Sequence, residues 1–183
     1  IRADLSDEHT LALAMEFGVP VVLDSKLRDG SLRQAAADSG IPLLLYEAGE
    51  ALRFDELSIR AGTRGILNVM RALSMLPARK RAAKAARSVV ADDSRWVRAP
   101  HSGVMRLMVR LGERVKKGQL LGYIADPMGL NETPVIAPDE AIVIGANNLP
   151  LVHEGEALLH LASFKRHTRR VADQLQGFHE HLS

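Results

Sequence analysis

Two stretches in the second half of the chain carry the same pattern. Ala99-Pro100-His101-Ser102-Gly103-Val104 opens one, which closes on Gly118-Gln119-Leu120-Leu121-Gly122-Tyr123-Ile124-Ala125. Ala137-Pro138-Asp139-Glu140-Ala141-Ile142 opens the other, which closes on Gly155-Glu156-Ala157-Leu158-Leu159-His160-Leu161-Ala162. Each half runs from an Ala-Pro start through short apolar runs to a turning glycine and a final apolar run. A half of this kind cannot bury its apolar face alone, whereas two of them interlocked can. The expectation for 96–163 is a small all-β domain, a β-barrel or sandwich built from an internal repeat.

The first half of the chain reads differently. Ser6 is placed to cap a helix, with Asp7 and Glu8 in its first turn and Gly18 at its end. Val19-Pro20-Val21-Val22-Leu23 reads as a short buried strand. Ser31 to Ser39 follows as a short helix that packs through Leu32, Ala35 and Ala36 and is closed by Gly40. Ile41 to Tyr46 is an apolar run that suits a covered strand. Helix alternating with strand implies a parallel α/β sheet. Asp55 then starts a longer helix, with Phe54 stapled onto Ile59. Its stripe of Ile59, Ile66, Leu67, Met70 and Leu73 is expected to pack on the sheet, and Pro77 ends the run.

The expected organisation is an α/β part at 1–77, a basic linker at 78–95, the β repeat at 96–163 and a C-terminal helix at 164–183. Val171, Leu175, Phe178 and Leu182 share one face of that last helix. Arg79, Lys80, Arg81, Lys84 and Arg87 lie among alanines, without the aromatic residues or motif of a nucleic-acid site. They read as a solvated segment. His179 and His181 have no accompanying ligand set and read as solvated too.

Glu47 is the candidate for chemistry. It ends the 41–46 run, and ligands in open α/β sheets sit beyond the C-terminal ends of strands. Gly49 lets the backbone turn just after it. A carboxylate at a strand end also serves merely to cap a helix or pair with an arginine, and both readings stay open on the local sequence. Glu50 reads as support for the turn. Arg33 and Arg28 precede the strand: Arg33 reads either as reaching the same cleft or as an ordinary surface arginine, and Arg28 reads as a surface arginine.

Composition removes some classes. The 183 residues contain no cysteine, so disulfides and thiolate metal sites are excluded, and a reducing cytoplasm suits the chain. The formal net charge of +2 gives no global field for nucleic acid. No apolar run approaches a membrane span.

Gly40-Ile41-Pro42 running into Tyr46-Glu47-Ala48-Gly49-Glu50, followed by Ala99-Pro100-His101-Ser102-Gly103 and by Gly112-Glu113-Arg114-Val115-Lys116-Lys117-Gly118-Gln119, resembles the succinylglutamate desuccinylase/aspartoacylase family. The resemblance implies a carboxypeptidase-like α/β domain followed by a β-rich domain. It implies a zinc-dependent deacylase acting on N-acylated amino acids or similar small N-acyl compounds. Glu47 matches the family's glutamate that works beside zinc as general base and acid. The family's zinc ligands come from motifs earlier than this glutamate, and no His-x-x-Glu precedes Glu47 here. The expectation is therefore a C-terminal portion, with zinc ligands upstream of Ile1, Arg33 toward the substrate carboxylate, and association of copies through uncovered apolar faces. The β repeat also resembles the barrel-sandwich hybrid of biotinyl and lipoyl carriers, but the connection from Asp126 to Pro134 has no lysine to modify. The alternative reading is a non-catalytic β-barrel adaptor or interaction module.

Overall fold

An aspartate starts the first helix of the computed structural model, which describes residues 1–78, 88–164, 171–175 and 177–178. Asp7 caps α1 (Glu8–Phe17) by accepting from the Thr10 amide at 2.8 Å and from the Thr10 hydroxyl. The cap is Asp7 rather than the expected Ser6, because the Ser6 hydroxyl donates to Asp4 at 2.6 Å. The Thr10 hydroxyl bond holds the Asp7 carboxyl below its ordinary range. Gly18, at φ 84°, closes the helix in the left-handed region that favours glycine.

The described residues form two compact units, Ile1–Ala91 with the chain end from Gln174, and Asp92–Asp173. The first holds β1 (Arg2–Ala3), α1, β2 (Val21–Asp24), α2 (Leu32–Asp38), α3 (Glu56–Ala72) and β3 (Val89–Ala91). Its sheet runs β1-β2-β3, with both strand pairs parallel. Ala3, Ala14 and Val22, all fully buried, form a core between sheet and helix. β3 lies within the expected linker, so 88–95 is not linker. Val89–Ala91 completes this sheet and Asp93 already begins the next strand. The basic residues from Arg79 to Arg87 lie outside the described residues.

Three expectations for this unit are corrected. Ile41 to Tyr46 is not a regular covered strand. It is extended chain at the sheet edge, with one antiparallel bridge between Leu45 and Arg2, and Ile41 is 60% exposed. An apolar run of this length suits an edge as well as a centre, and here no described strand pairs its outer flank. In α2, Ser31 caps as expected, but Leu32 is exposed and Ala36 provides the buried contact. In α3, Asp55 caps as expected, yet the packed face is Ala61, Gly62 and Gly65. The Ile59, Ile66, Leu67 and Leu73 stripe is exposed, and so is Phe54, which makes no staple. The reason is steric: the Phe17 and Tyr46 rings sit where Cβ atoms of Gly65 and Gly62 would be, so the glycine face approaches closest.

The second unit comprises β4 (Asp93–Arg98), β5 (Gly103–Leu107), β6 (Arg114–Val115), β7 (Leu120–Ala125), β8 (Glu132–Ile136), β9 (Ala141–Ala146), β10 (Leu151–Val152) and β11 (Ala157–Ser163). It makes two antiparallel four-stranded sheets, β10-β5-β7-β8 and β4-β11-β9-β6. The barrel expectation is corrected: both sheets are open among the described residues. Each ends at one edge on a strand of two residues, β10 or β6, too short to carry pairing onward.

The repeat explains the interlock. β5, β6 and β7 of the first half match β9, β10 and β11 of the second. Each half lends its short middle strand to the other's sheet: β10 pairs with β5, and β6 pairs with β9. The turn glycines do the same. The Gly118 amide donates to the Ala137 carbonyl at 2.8 Å, and the Gly155 amide donates to the Ala99 carbonyl at 2.9 Å. One core joins Met105, Leu121 and Ile124 of one sheet to Val143, Leu159 and Leu161 of the other. At the far end, residues 171–175 are helical and Val171 is fully buried. Leu182, His179 and His181 lie outside the described residues.

Candidate active site

Glu47 is held from two sides through its neighbours. On one side is the register with β1. The Arg2 amide donates to the Leu45 carbonyl at 2.8 Å, and the Leu45 amide donates to the Arg2 carbonyl at 2.9 Å. An antiparallel pair that exchanges both bonds fixes the chain direction on each side of it. On the other side is Tyr46. Its hydroxyl donates to the Ser58 carbonyl at 2.9 Å, and its ring packs on Phe17 with centroids 5.3 Å apart. Burial raises the Tyr46 hydroxyl's pKa above its ordinary value, so the neutral donor form is the one that tethers this edge segment to α3.

With Leu45 and Tyr46 fixed, Glu47 meets the Arg2 side chain. Arg2 Nε donates to Glu47 Oε2. The glutamate side chain is 58% exposed and the arginine side chain 25% exposed. Of the readings left open for Glu47, pairing with an arginine is the one seen. Gly49 follows at φ 78°, and the chain turns there toward the Asp55 cap of α3. Glu50 pairs with Arg53 at 3.5 Å on the surface, in keeping with a role at the turn.

Arg33 stands elsewhere in the unit. Its guanidinium donates to the carbonyls of Ser25 at 2.8 Å and Lys26 at 3.3 Å, and so braces the loop after β2. It also lines a cleft of about 330 Å³ with Asp4, Asp7, His9, Leu27 and Ile41. Glu47 does not line that cleft, so the two candidates are not brought into one pocket. Arg28 is exposed. Arg2 is the site residue that sequence reasoning missed. It stands 45 positions from Glu47, and only the register of β1 against Leu45 brings the two together.

Among the described residues, no group of three or more His, Cys, Asp or Glu could hold a metal ion. Among the same residues, no helix is long and apolar enough to cross a membrane.

No family model matches the chain, and no curated protein matches it. Solved structures do. A succinylglutamate desuccinylase/aspartoacylase from Rhodobacter sphaeroides matches with 24% identity and a TM-score of 0.71, over 85% of this chain and 49% of that one. The apo ectoine utilization protein EutE (DoeB) from Ruegeria pomeroyi matches with 20% identity and a TM-score of 0.77, over 90% and 53%. A succinylglutamate desuccinylase from Silicibacter sp. TM1040 matches with 22% identity and a TM-score of 0.73, over 85% and 49%. The chain therefore has the fold of succinylglutamate desuccinylase/aspartoacylase proteins and spans about half the length of those it matches.

Proposed function

We propose that this chain is the C-terminal portion of a zinc-dependent amidohydrolase, with a partial carboxypeptidase-like α/β unit. The proposed substrates are N-acyl amino acids or similar small N-acyl compounds, cleaved at the amide. The observation that supports the reading is the fold likeness to solved deacylase-family structures over 85–90% of the chain. Glu47, just beyond the fixed Tyr46, is the proposed general base and acid. Its carboxylate takes a proton from the water that attacks the acyl carbonyl, then delivers it to the departing amine.

The described residues do not fit a zinc site. The proposed zinc is assigned ligands outside them, and Glu47's part rests on its own proton chemistry. Arg33 enters as the proposed residue for a substrate carboxylate, which a planar guanidinium can bind bidentately. Its present acceptors are the Ser25 and Lys26 carbonyls, so taking up a carboxylate requires exchanging them.

The test uses the full-length protein. Zinc content is measured by elemental mass spectrometry, and amine release is followed with N-succinylglutamate and N-acetylaspartate. Glu47→Gln is expected to lower kcat by roughly 10²–10⁴-fold, the range for loss of a general base. Turnover undiminished in Glu47→Gln removes the role.

A further inference from the structure

Arg2 and Glu47 form a pair that sequence distance conceals, and its geometry does not look like a stability device. With one side chain a quarter exposed and the other more than half exposed, such an ion pair contributes little to stability. Leu45 and Arg2 exchange both main-chain hydrogen bonds in an otherwise isolated bridge, which sets the two side chains beside each other just before the chain turns at Gly49. Tyr46, tied to the Ser58 carbonyl and seated on Gly62, removes the remaining freedom of this edge segment. What is left undetermined is the direction of the Glu47 carboxylate, and the contact from Arg2 Nε determines it.

We propose that Arg2 is a positioning residue: it aims the Glu47 carboxylate and does not itself bind substrate. The inference rests on the hydrolytic role proposed for Glu47. An arginine is suited to the task, because its planar guanidinium offers a directed N–H, whereas a lysine ammonium is a point charge on a flexible stem. A carboxylate released from this contact keeps its charge and loses its aim. Misplacement of a catalytic group by about 1 Å costs on the order of 10²-fold in rate.

The experiment has two arms, both with Arg2→Met and Arg2→Lys. In the first, the Glu47 side-chain rotamer is read by NMR side-chain couplings and by crystallography. One rotamer is expected in wild type, averaging in Arg2→Met, and partial recovery in Arg2→Lys. A Glu47 that keeps one rotamer in Arg2→Met overturns the proposal, and so does averaging in wild type. In the second arm, kcat and KM are measured in the full-length protein with N-succinylglutamate and N-acetylaspartate. Arg2→Met is expected to lower kcat roughly 10–100-fold with KM nearly unchanged, with partial rescue in Arg2→Lys. A raised KM with kcat intact would make Arg2 a substrate ligand instead and overturn the proposal. A wild type inactive on both compounds counts against the hydrolase reading alone, since the rotamer arm still decides what Arg2 does to Glu47.

Discussion

Gly65→Ala is a substitution that general rules and this structure judge in opposite directions. In an exposed helix interior, alanine in place of glycine stabilises by about 0.8–1 kcal/mol. At Gly65, an added Cβ would lie 2.2, 2.3 and 2.4 Å from three atoms of the Phe17 ring. Ordinary carbon–carbon contact is about 3.5–4.0 Å, so α3 or the ring must retreat by about 1 Å or more. The ring has little room, since Phe17 is buried and its other contacts include Tyr46. Overpacking of this sort costs about 1–3 kcal/mol, and disturbing the Phe17–Tyr46 contact adds about 0.5–1.5 kcal/mol. Against the helix gain, the expected net loss is about 1–3 kcal/mol. Urea unfolding followed by circular dichroism measures it, provided the slope with denaturant is unchanged.

A double-mutant cycle with Phe17→Ala separates the clash from any other cause. Phe17→Ala alone is expected to cost about 3–5 kcal/mol. In that background the space above Gly65 is open, and Gly65→Ala should become neutral or stabilising by up to about 1 kcal/mol. The sign reversal is the diagnostic. If Gly65→Ala stabilises the wild-type background, the ring is not seated on the helix. The chain of contacts that holds Tyr46, and behind it Glu47, would then be wrong.

The exposed stripe on α3 and the hairpin at Asp126 give two further tests. Ile59, Ile66 and Leu73 are 45%, 58% and 43% exposed, so the 183-residue chain should associate as its concentration rises. Ile66→Glu should shift it toward monomer in light scattering without lowering its midpoint of unfolding, and a wild-type chain monomeric throughout would contradict this. Asp126 accepts from the amides of Met128, Leu130 and Asn131 and from the Asn131 side chain, and the Asn131 side-chain bond is the largest cause holding its carboxyl below the ordinary range. A depressed folded-state pKa means a contribution present above the unfolded aspartate value of about 3.9 and lost as pH falls through the lower folded value. The protection of the Met128 and Leu130 amides, taken as each exchange rate against the intrinsic rate at the same pH, should therefore be high at neutral pH and fall in acid, whereas Asp126→Ala should lack it at both.

Local signals and long-range consequences divided sharply in how far they could be read. Ser31 and Asp55 were legible as caps, because a cap needs only a side-chain oxygen and an amide two or three residues on. Ser6 misled, although its type was right, because the competing acceptor at Asp4 took its hydroxyl and left the cap to Asp7. The repeat was legible as a repeat because each half carries its own turn glycine and apolar runs. The exchange of β6 and β10 between halves was not, since a two-residue strand leaves almost no periodicity to read.

The larger misreading was of α3, and it bears on the site. Hydrophobic periodicity nominated the isoleucine stripe as the packed face, because periodicity weighs side chains by their apolar character. Packing weighs them by how close two backbones can come. Alanine and glycine contribute little to an apolar count, yet Gly62 and Gly65 are where two aromatic rings rest. That choice of face has a consequence for Glu47: with the glycine face inward, Tyr46 can lie on α3 and reach the Ser58 carbonyl, and the next residue is then delivered to Arg2. With the isoleucine face inward, branched side chains would occupy the place of the Tyr46 ring, and the register that pairs Arg2 with Glu47 would lose one of its two anchors. The position of the candidate base thus depends on two residues that have no side chain at all, which is why composition and hydropathy could name Glu47 but could not say what holds it.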